Sequence, residues 1–209
     1  AIPGRRFTGF GTSFFDYDND GWLDLRVVNG AVQLLPLKNS FPLGQPKQLF
    51  RNTGKGSFVE TEAGPEFPLL EVSRGAAFGD VDNDGDTDVL VTNNNGPARL
   101  LLNQVGNQNH WIGLRLVGKS GRDMLGAQVG IVVGENNVLW RRVRTDGSYL
   151  SASDPRVLVG LGSATRVKAV RVRWPDGTTE EAKDLPVDQY TTIKEGFSHA
   201  TAQRRTGRI

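Results

Sequence analysis

Two short stretches of this chain share one pattern, Asp-x-Asp-x-Asp-Gly-x-x-Asp, and their first residues, Asp16 and Asp80, lie 64 positions apart. The common register extends outward. "SFFDYDNDGWLDLRV" (13–27) aligns with "AFGDVDNDGDTDVLV" (77–91), Gly11 aligns with Gly75, and further on "LFRN" (49–52) resembles "LLLN" (100–103). A repeat of this period implies one supersecondary unit per copy. Residues 1–109 hold nine basic and thirteen acidic side chains, and nine of those acids fall inside the two stretches. Like charges this close destabilise one another unless something neutralises them.

The spacing suggests what does. Carboxylates at positions 1, 3 and 5 converge when the backbone curls around a point, and glycine at position 6 permits the sharp turn. A carbonyl at position 7 and a carboxylate at position 9 add oxygens, which is what a cation of Ca²⁺ size takes: six to eight ligands at about 2.3–2.6 Å. Two Ca²⁺ sites are therefore expected. The first uses Asp16, Asp18, Asp20, the Trp22 carbonyl and Asp24; the second uses Asp80, Asp82, Asp84, the Asp86 carbonyl and Asp88, with the Asp86 carboxylate turned to solvent. The loop resembles an EF-hand loop through position 9. It departs at position 12, where Val27 and Val91 replace glutamate, and a strand rather than a helix follows. Two other readings of the same residues are a polar hairpin turn, which Asp-Gly favours, and the aspartate motif of a Mg²⁺-dependent phosphotransferase. Four uncompensated carboxylates speak against the first, and duplication at a fixed period speaks against the second.

Both halves read as β structure. "LDLRVVN", "SFVETE" and "DVLVTN" are short, rich in β-formers and bounded by turn residues, and no helical periodicity of useful length is present. The proline-containing stretch 36–48 reads as an irregular loop. After residue 109 the texture changes: "HWIGLRLVG", "AQVGIVVG", "NVLWRRVR", "RVLVGLG", "VKAVRVRW" and "TTIKEG" predict six short strands, a sandwich or small barrel. The predicted organisation is residues 1–108 as two repeats (about 7–70 and 71–108), 109–196 as a second β domain, and 197–209 as a basic tail.

These segments resemble known families. Residues 7 to 105 are similar to FG-GAP/VCBS-type repeats, the calcium-loop blades of integrin-α-like β-propellers, with "FG" at 10–11 and 78–79. "NHWIGLRLVG" (109–118), "GRDMLGAQV" (121–129), "GSYLSASDPRVLVGLG" (147–162) and "VRVRWPDGT" (170–178) together resemble an ASPIC/UnbV domain, which follows such repeats in cartilage-acidic-protein-like chains. The resemblance implies an all-β fold with four-stranded antiparallel propeller blades, an extracellular or secreted setting, and an association with calcium, matrix and adhesion. It implies no catalytic residues.

The remaining chemistry points the same way. Cysteine is absent, which excludes disulfides and thiolate-ligated metals. No apolar run approaches the roughly 20 residues that span a bilayer, and "AIPGRRFTGF" lacks the apolar segment of a signal peptide. Of two histidines, His110 precedes an apolar strand and His199 lies in a polar tail, so a nucleophile–base pair has little to draw on. Ser148, Ser151 and Ser153 read as turn residues. Arg141, Arg142, Arg144, Arg171 and Arg173 read as a solvated sheet face or as a surface for acidic glycans; no nucleic-acid motif accompanies them. The expected function is binding or self-assembly rather than catalysis, with a carbohydrate- or polyanion-binding module and an accessory domain of a biosynthetic enzyme as alternatives. Two blades cannot close a ring. The partner is therefore expected to be the remainder of a longer propeller or other copies of the chain, as a homo-oligomer or filament, with residues 1–9 or the tail available for strand exchange. A net charge of −4 before residue 110 and +6 after it suits head-to-tail contact.

Overall fold

The Val- and Leu-rich runs become strands and the glycine- and asparagine-rich breaks become turns. A computed structural model describes residues 6–32, 42–62, 64–65, 67–135 and 137–197. The proposed strand-exchange segments and the irregular loop thus lie partly outside the described residues, as does nearly all of the basic tail. The described residues form strands and one 3₁₀ turn, Gly106–Gln108. Among the described residues no helix is long and apolar enough to cross a membrane.

In the first repeat, β1 (Gly9–Phe15), β2 (Asp24–Asn29), β3 (Gln48–Asn52) and β4 (Phe58–Thr61) form an antiparallel four-stranded sheet in chain order. In the second, β5 (Ser73–Gly79), β6 (Asp88–Asn93) and β7 (Arg99–Leu101) form a three-stranded one. The expected fourth strand is missing there among the described residues, because the chain runs from β7 through the 3₁₀ turn into the second domain.

The two sheets bury one cluster between them: Phe15, Val28 and Leu49 from the first, and Ala76, Phe78, Val89 and Val91 from the second, with Phe67 from the connection. The packing is head to tail. The cross-strand row Phe78, Val89, Leu101 faces the first sheet. Its repeat equivalent, the row Phe14, Leu25, Phe50, lies on the opposite face of the first sheet, where Phe14 is 51% exposed. Leu90 and Leu100, paired across β6 and β7, are likewise exposed on the far face of the second. Polar ties add to the apolar contact. Lys47, almost fully buried, donates to Glu71 (2.6 Å), which also pairs with Arg99 (2.9 Å).

The second domain is a two-sheet sandwich. β8 (His110–Val117), β9 (Gln128–Val132), β10 (Val138–Arg142), β11 (Val157–Gly162), β12 (Ala169–Arg173), β13 (Thr179–Ala182) and β14 (Tyr190–Lys194) form sheets ordered β10-β9-β12-β13 and β11-β8-β14. β14 runs parallel to β8. Alternation builds the core: Ile112, Leu114 and Leu116 of β8 and Val159 of β11 meet Val129, Ile131, Val170 and Val172 from the other sheet, with Trp174 at its edge. The sheets do not close into a barrel, so the sandwich expectation is the one that describes the domain. Seven strands stand where six are expected. The extra one, β13, is "TEEA", whose composition disfavours a strand. It pairs with β12 because the intervening turn, with Gly177 at φ +91° and the Trp174 amide on the Thr178 carbonyl (2.9 Å), folds it back.

Candidate metal centres

Each aspartate stretch is a loop between the first two strands of its sheet, and the two loops curl alike. Position 4 is in the left-handed region in both (Asn19 φ +53°, Asn83 φ +62°), as is the glycine at position 6 (Gly21 φ +92°, Gly85 φ +96°). Asparagine and glycine are the residues that tolerate this conformation. Position 1 accepts the position 6 amide: Gly21 to Asp16 (2.9 Å) and Gly85 to Asp80 (3.0 Å). Position 9 accepts two amides, from Tyr17 (2.8 Å) and Asn52 (2.7 Å) at Asp24, and from Val81 (2.9 Å) and Asn103 (2.8 Å) at Asp88. Asn52 and Asn103 are the last residues of "LFRN" and "LLLN". The repeat flagged them; only the structure gives them this task.

The curl brings three carboxylates together in each loop. One oxygen from each of Asp16, Asp18 and Asp24 lies within 4.8 Å of the others, and Asp80, Asp82 and Asp88 do the same. Asp20 and Asp84 are held aside, Asp20 by the Trp22 amide (2.8 Å) and Arg51 (3.5 Å), Asp84 by the Asp86 amide (3.2 Å) and the Asn107 side chain (2.8 Å). Asp86 corrects the sequence reading. Its carboxylate is not turned to solvent but is 0% exposed, under Gly106, and accepts the Asn107 amide (3.2 Å).

Burial dominates the electrostatics. It pushes the Asp16 carboxyl up to about 7 against the pull of Arg141, and Asp24 up to about 6 against the amides of Asn52 and Tyr17. Asp86 rises to about 7 through burial and then the charge of Asp84; burial also raises Asp80 and Asp88. Arg51 lies 2.6 Å from Asp18 and partly balances the first loop. Asp18 Oδ1 and Asp80 Oδ1, one in each cluster, are buried without any hydrogen-bond partner. A buried carboxylate oxygen with no donor is costly, and an all-oxygen donor set of this kind fits a hard divalent cation. The residues present can hold one in each loop.

Comparison with known proteins agrees with this geometry. Residues 44–91 match the family described as an FG-GAP-like repeat, and residues 117–200 match ASPIC and UnbV. The chain carries an FG-GAP-like repeat and an ASPIC/UnbV domain. Cartilage acidic protein 1 of Mus musculus is 44% identical over 59 residues, 27% of this chain and 9% of that protein.

The ASPIC/UnbV sandwich is not a separate bead after the aspartate loops; it sits on them. Asn109 donates to the Asp18 carbonyl (2.8 Å), and the Gly162 amide donates to the Asn19 carbonyl (2.8 Å). Arg141 reaches the Gly21 carbonyl (3.0 Å). On the second loop, Tyr190 donates to Asp80 Oδ2 (2.8 Å), and Arg156, stacked on Tyr190, donates to the Asp80 carbonyl and Asn83 (2.6 Å each). A Cβ on Gly160 would lie 2.3 Å from the Asn19 backbone, and one on Gly85 would enter the Trp111 ring. Asn19 itself, 0% exposed, donates to the carbonyls of Gly85 (2.8 Å) and Gly106 (3.0 Å), joining loop to loop. The clamp was not visible in the sequence, since it joins side chains to main-chain carbonyls and to other side chains 73 to 120 positions away, and packs against glycines, none of which local spacing reports.

Most of the other flagged residues have structural partners; the buried Ser148 hydroxyl has none among the described residues. His110 Nδ1 lies 2.7 Å from Asp188, whose other oxygen accepts the Trp111 amide (3.1 Å). Ser151 bonds the Tyr149 carbonyl (2.9 Å) and Ser153 receives the Phe78 amide (3.2 Å). No serine is hydrogen-bonded to His110 among the described residues. Arg171 and Arg173 are exposed on β12, as the alternation predicts, whereas Arg141 on β10 turns inward to the first loop.

Proposed function

We propose that this chain is a calcium-stabilised structural and docking protein that works outside the cell and acts by binding and assembly, not by catalysis. The observation that carries the reading is the pair of orphaned carboxylate oxygens, Asp18 Oδ1 and Asp80 Oδ1, each buried inside a three-carboxylate cluster. Calcium is favoured over magnesium because the donors are fixed protein oxygens in a crowded loop, whereas magnesium keeps several waters. The ion's role is to lock the loops on which the ASPIC/UnbV domain is seated. The extracellular setting is favoured by the FG-GAP-like and ASPIC/UnbV resemblance and by a mouse relative named for cartilage. Since the match covers 9% of that protein, its own partners are not transferred.

The test is thermal unfolding in millimolar calcium, in magnesium and in EDTA. Ligand linkage gives about 2.7 kcal/mol when calcium is 100 times its dissociation constant. The expected result is a clear upward shift of the transition in calcium alone. Coincident transitions in calcium and EDTA would refute the reading.

A further inference from the structure

Where the ASPIC/UnbV domain meets the inner strands of both repeats there is a cleft of about 380 Å³, within the usual range for small-ligand sites. It is not part of either aspartate cluster, though Asp16 and Asp80 reach its floor. One wall is Ser13 and the half-exposed Phe14 on β1; the other is Trp140 and the arginines of β10 and the segment after it.

The charge in the cleft is unevenly spent. Arg156 is fully committed to Asp154, Asn83 and the Asp80 carbonyl, and Arg141 is turned to the first loop. Arg142 has no hydrogen bond or ion pair among the described residues, and Arg144 has one long contact, 3.4 Å to Ser13 Oγ. Neither guanidinium is ion-paired among the described residues, although Asp146 lines the same cleft. Asp146 also has no partner among the described residues and remains an acceptor.

Trp140 supplies a platform, with the Arg173 guanidinium over its ring 5.7 Å from the centroid. Its ring lies against Gly130 on the neighbouring strand, where a Cβ would come within 2.9 Å of it, so any other residue at 130 would lift the indole off the sheet. It is 45% exposed, and its indole N–H has no partner among the described residues. A flat indole with a negative face attracts the polarised C–H face of a pyranose ring. Guanidinium groups beside it offer planar, two-pronged binding to a carboxylate or sulfate, and Asp146 and Ser13 can take ring hydroxyls as donors or acceptors.

We infer that this cleft binds an acidic sugar, stacked on Trp140 with its carboxylate or sulfate on Arg142 and Arg144. A purely apolar ligand would leave both arginines desolvated and unpaired. A single-stranded nucleic acid would need a track of cations following its backbone, and two arginines at one cleft do not make a track. The inference goes beyond the calcium reading and does not require it.

The experiment is calorimetric titration of the full chain, in calcium, with four probes: a uronate trisaccharide, its neutral methyl ester, a sulfated trisaccharide, and a thymidylate trinucleotide. Binding of the uronate or the sulfated sugar is expected, with the tighter of the two identifying the natural acid, and with the ester at least about tenfold weaker. Arg142→Ala and Arg144→Ala should each weaken binding by about tenfold. Arg122→Ala, an exposed arginine outside the cleft, should not change it. Trp140→Ala should abolish binding and Trp140→Phe should restore part of it, with every variant melting as the parent does. No heat with any sugar, equal binding of the ester, equal effects of Arg142→Ala and Arg122→Ala, or tighter binding of the trinucleotide would each overturn the inference. The calcium reading fails by a different measurement, the melting comparison, so the two outcomes are separable.

Discussion

Asn19 and Asn83 share a position in their loops and a left-handed backbone, yet only Asn19 has a side chain bonded to the other repeat. Equivalent residues thus carry unequal tasks, and the same holds for the acids. Asp82, in the second cluster, and Glu62, an exposed charge just beyond β4, make a matched pair of substitutions. Asp82→Ala should lower calcium affinity by at least about tenfold, since outer partners of a metal site alone are worth 10–100-fold. Glu62→Ala should change stability by less than about 0.5 kcal/mol. Calorimetry and denaturant melts measure both; equal small effects would remove Asp82 from the ligand set. The buried acids also set a pH dependence. Asp16 holds its proton up to about 7 and Asp24 up to about 6, well above the 3.8 of the unfolded chain. Between those values the folded state binds more protons than the unfolded one, so stability falls as pH rises through that window. Urea midpoints in EDTA should therefore be lower at pH 7.5 than at pH 5. Calcium should oppose the trend, because it needs the ionised carboxylates.

Among the elements, the contact between β11 and the first loop is the most direct test of the clamp. Gly160 needs no special φ there, but its Cβ would strike the Asn19 backbone. Gly160→Ala should reduce calcium affinity at the first loop without removing an acid, while the sandwich core, which does not include residue 160, keeps its own cooperative unfolding. Calcium titration followed by two-probe melting would show it. The strands themselves were largely legible, and in "VRVRW" alternation reports burial directly, whereas in "LDLRVV" Asp24 and Arg26 are buried and Leu25 and Val27 only half-buried. β13 was not, since "TEEA" folds through its turn and its neighbour rather than its composition. The carboxylates of the site could be named from spacing, but the fate of Asp86 could not. Whether an acid at position 7 meets water depends on Gly106 and Asn107, which only the fold brings beside it.

For the whole molecule, the head-to-tail stacking of the two repeats leaves a complementary pair of faces. The Phe14, Leu25, Phe50 row repeats the surface that the second sheet buries, and the exposed Leu90 and Leu100 occupy the face whose counterpart in the first sheet is buried. Exposed apolar faces of this kind mark contact sites, and these two match one another. The 209-residue chain in calcium should therefore form species larger than a monomer, visible by light scattering, and Leu90→Asp together with Leu100→Asp should return it to one; a stable monomer at micromolar concentration would show that the faces do not meet. The bridge made by Asn19 has a consequence of another kind. An ion that sets the first loop also sets this side chain, and with it the carbonyls of Gly85 and Gly106 on either side of the second. On the calcium proposal the second ion meets a loop already shaped, and by reciprocity so does the first. Occupancy then rises cooperatively, and the protein stiffens at a threshold of calcium rather than by degrees.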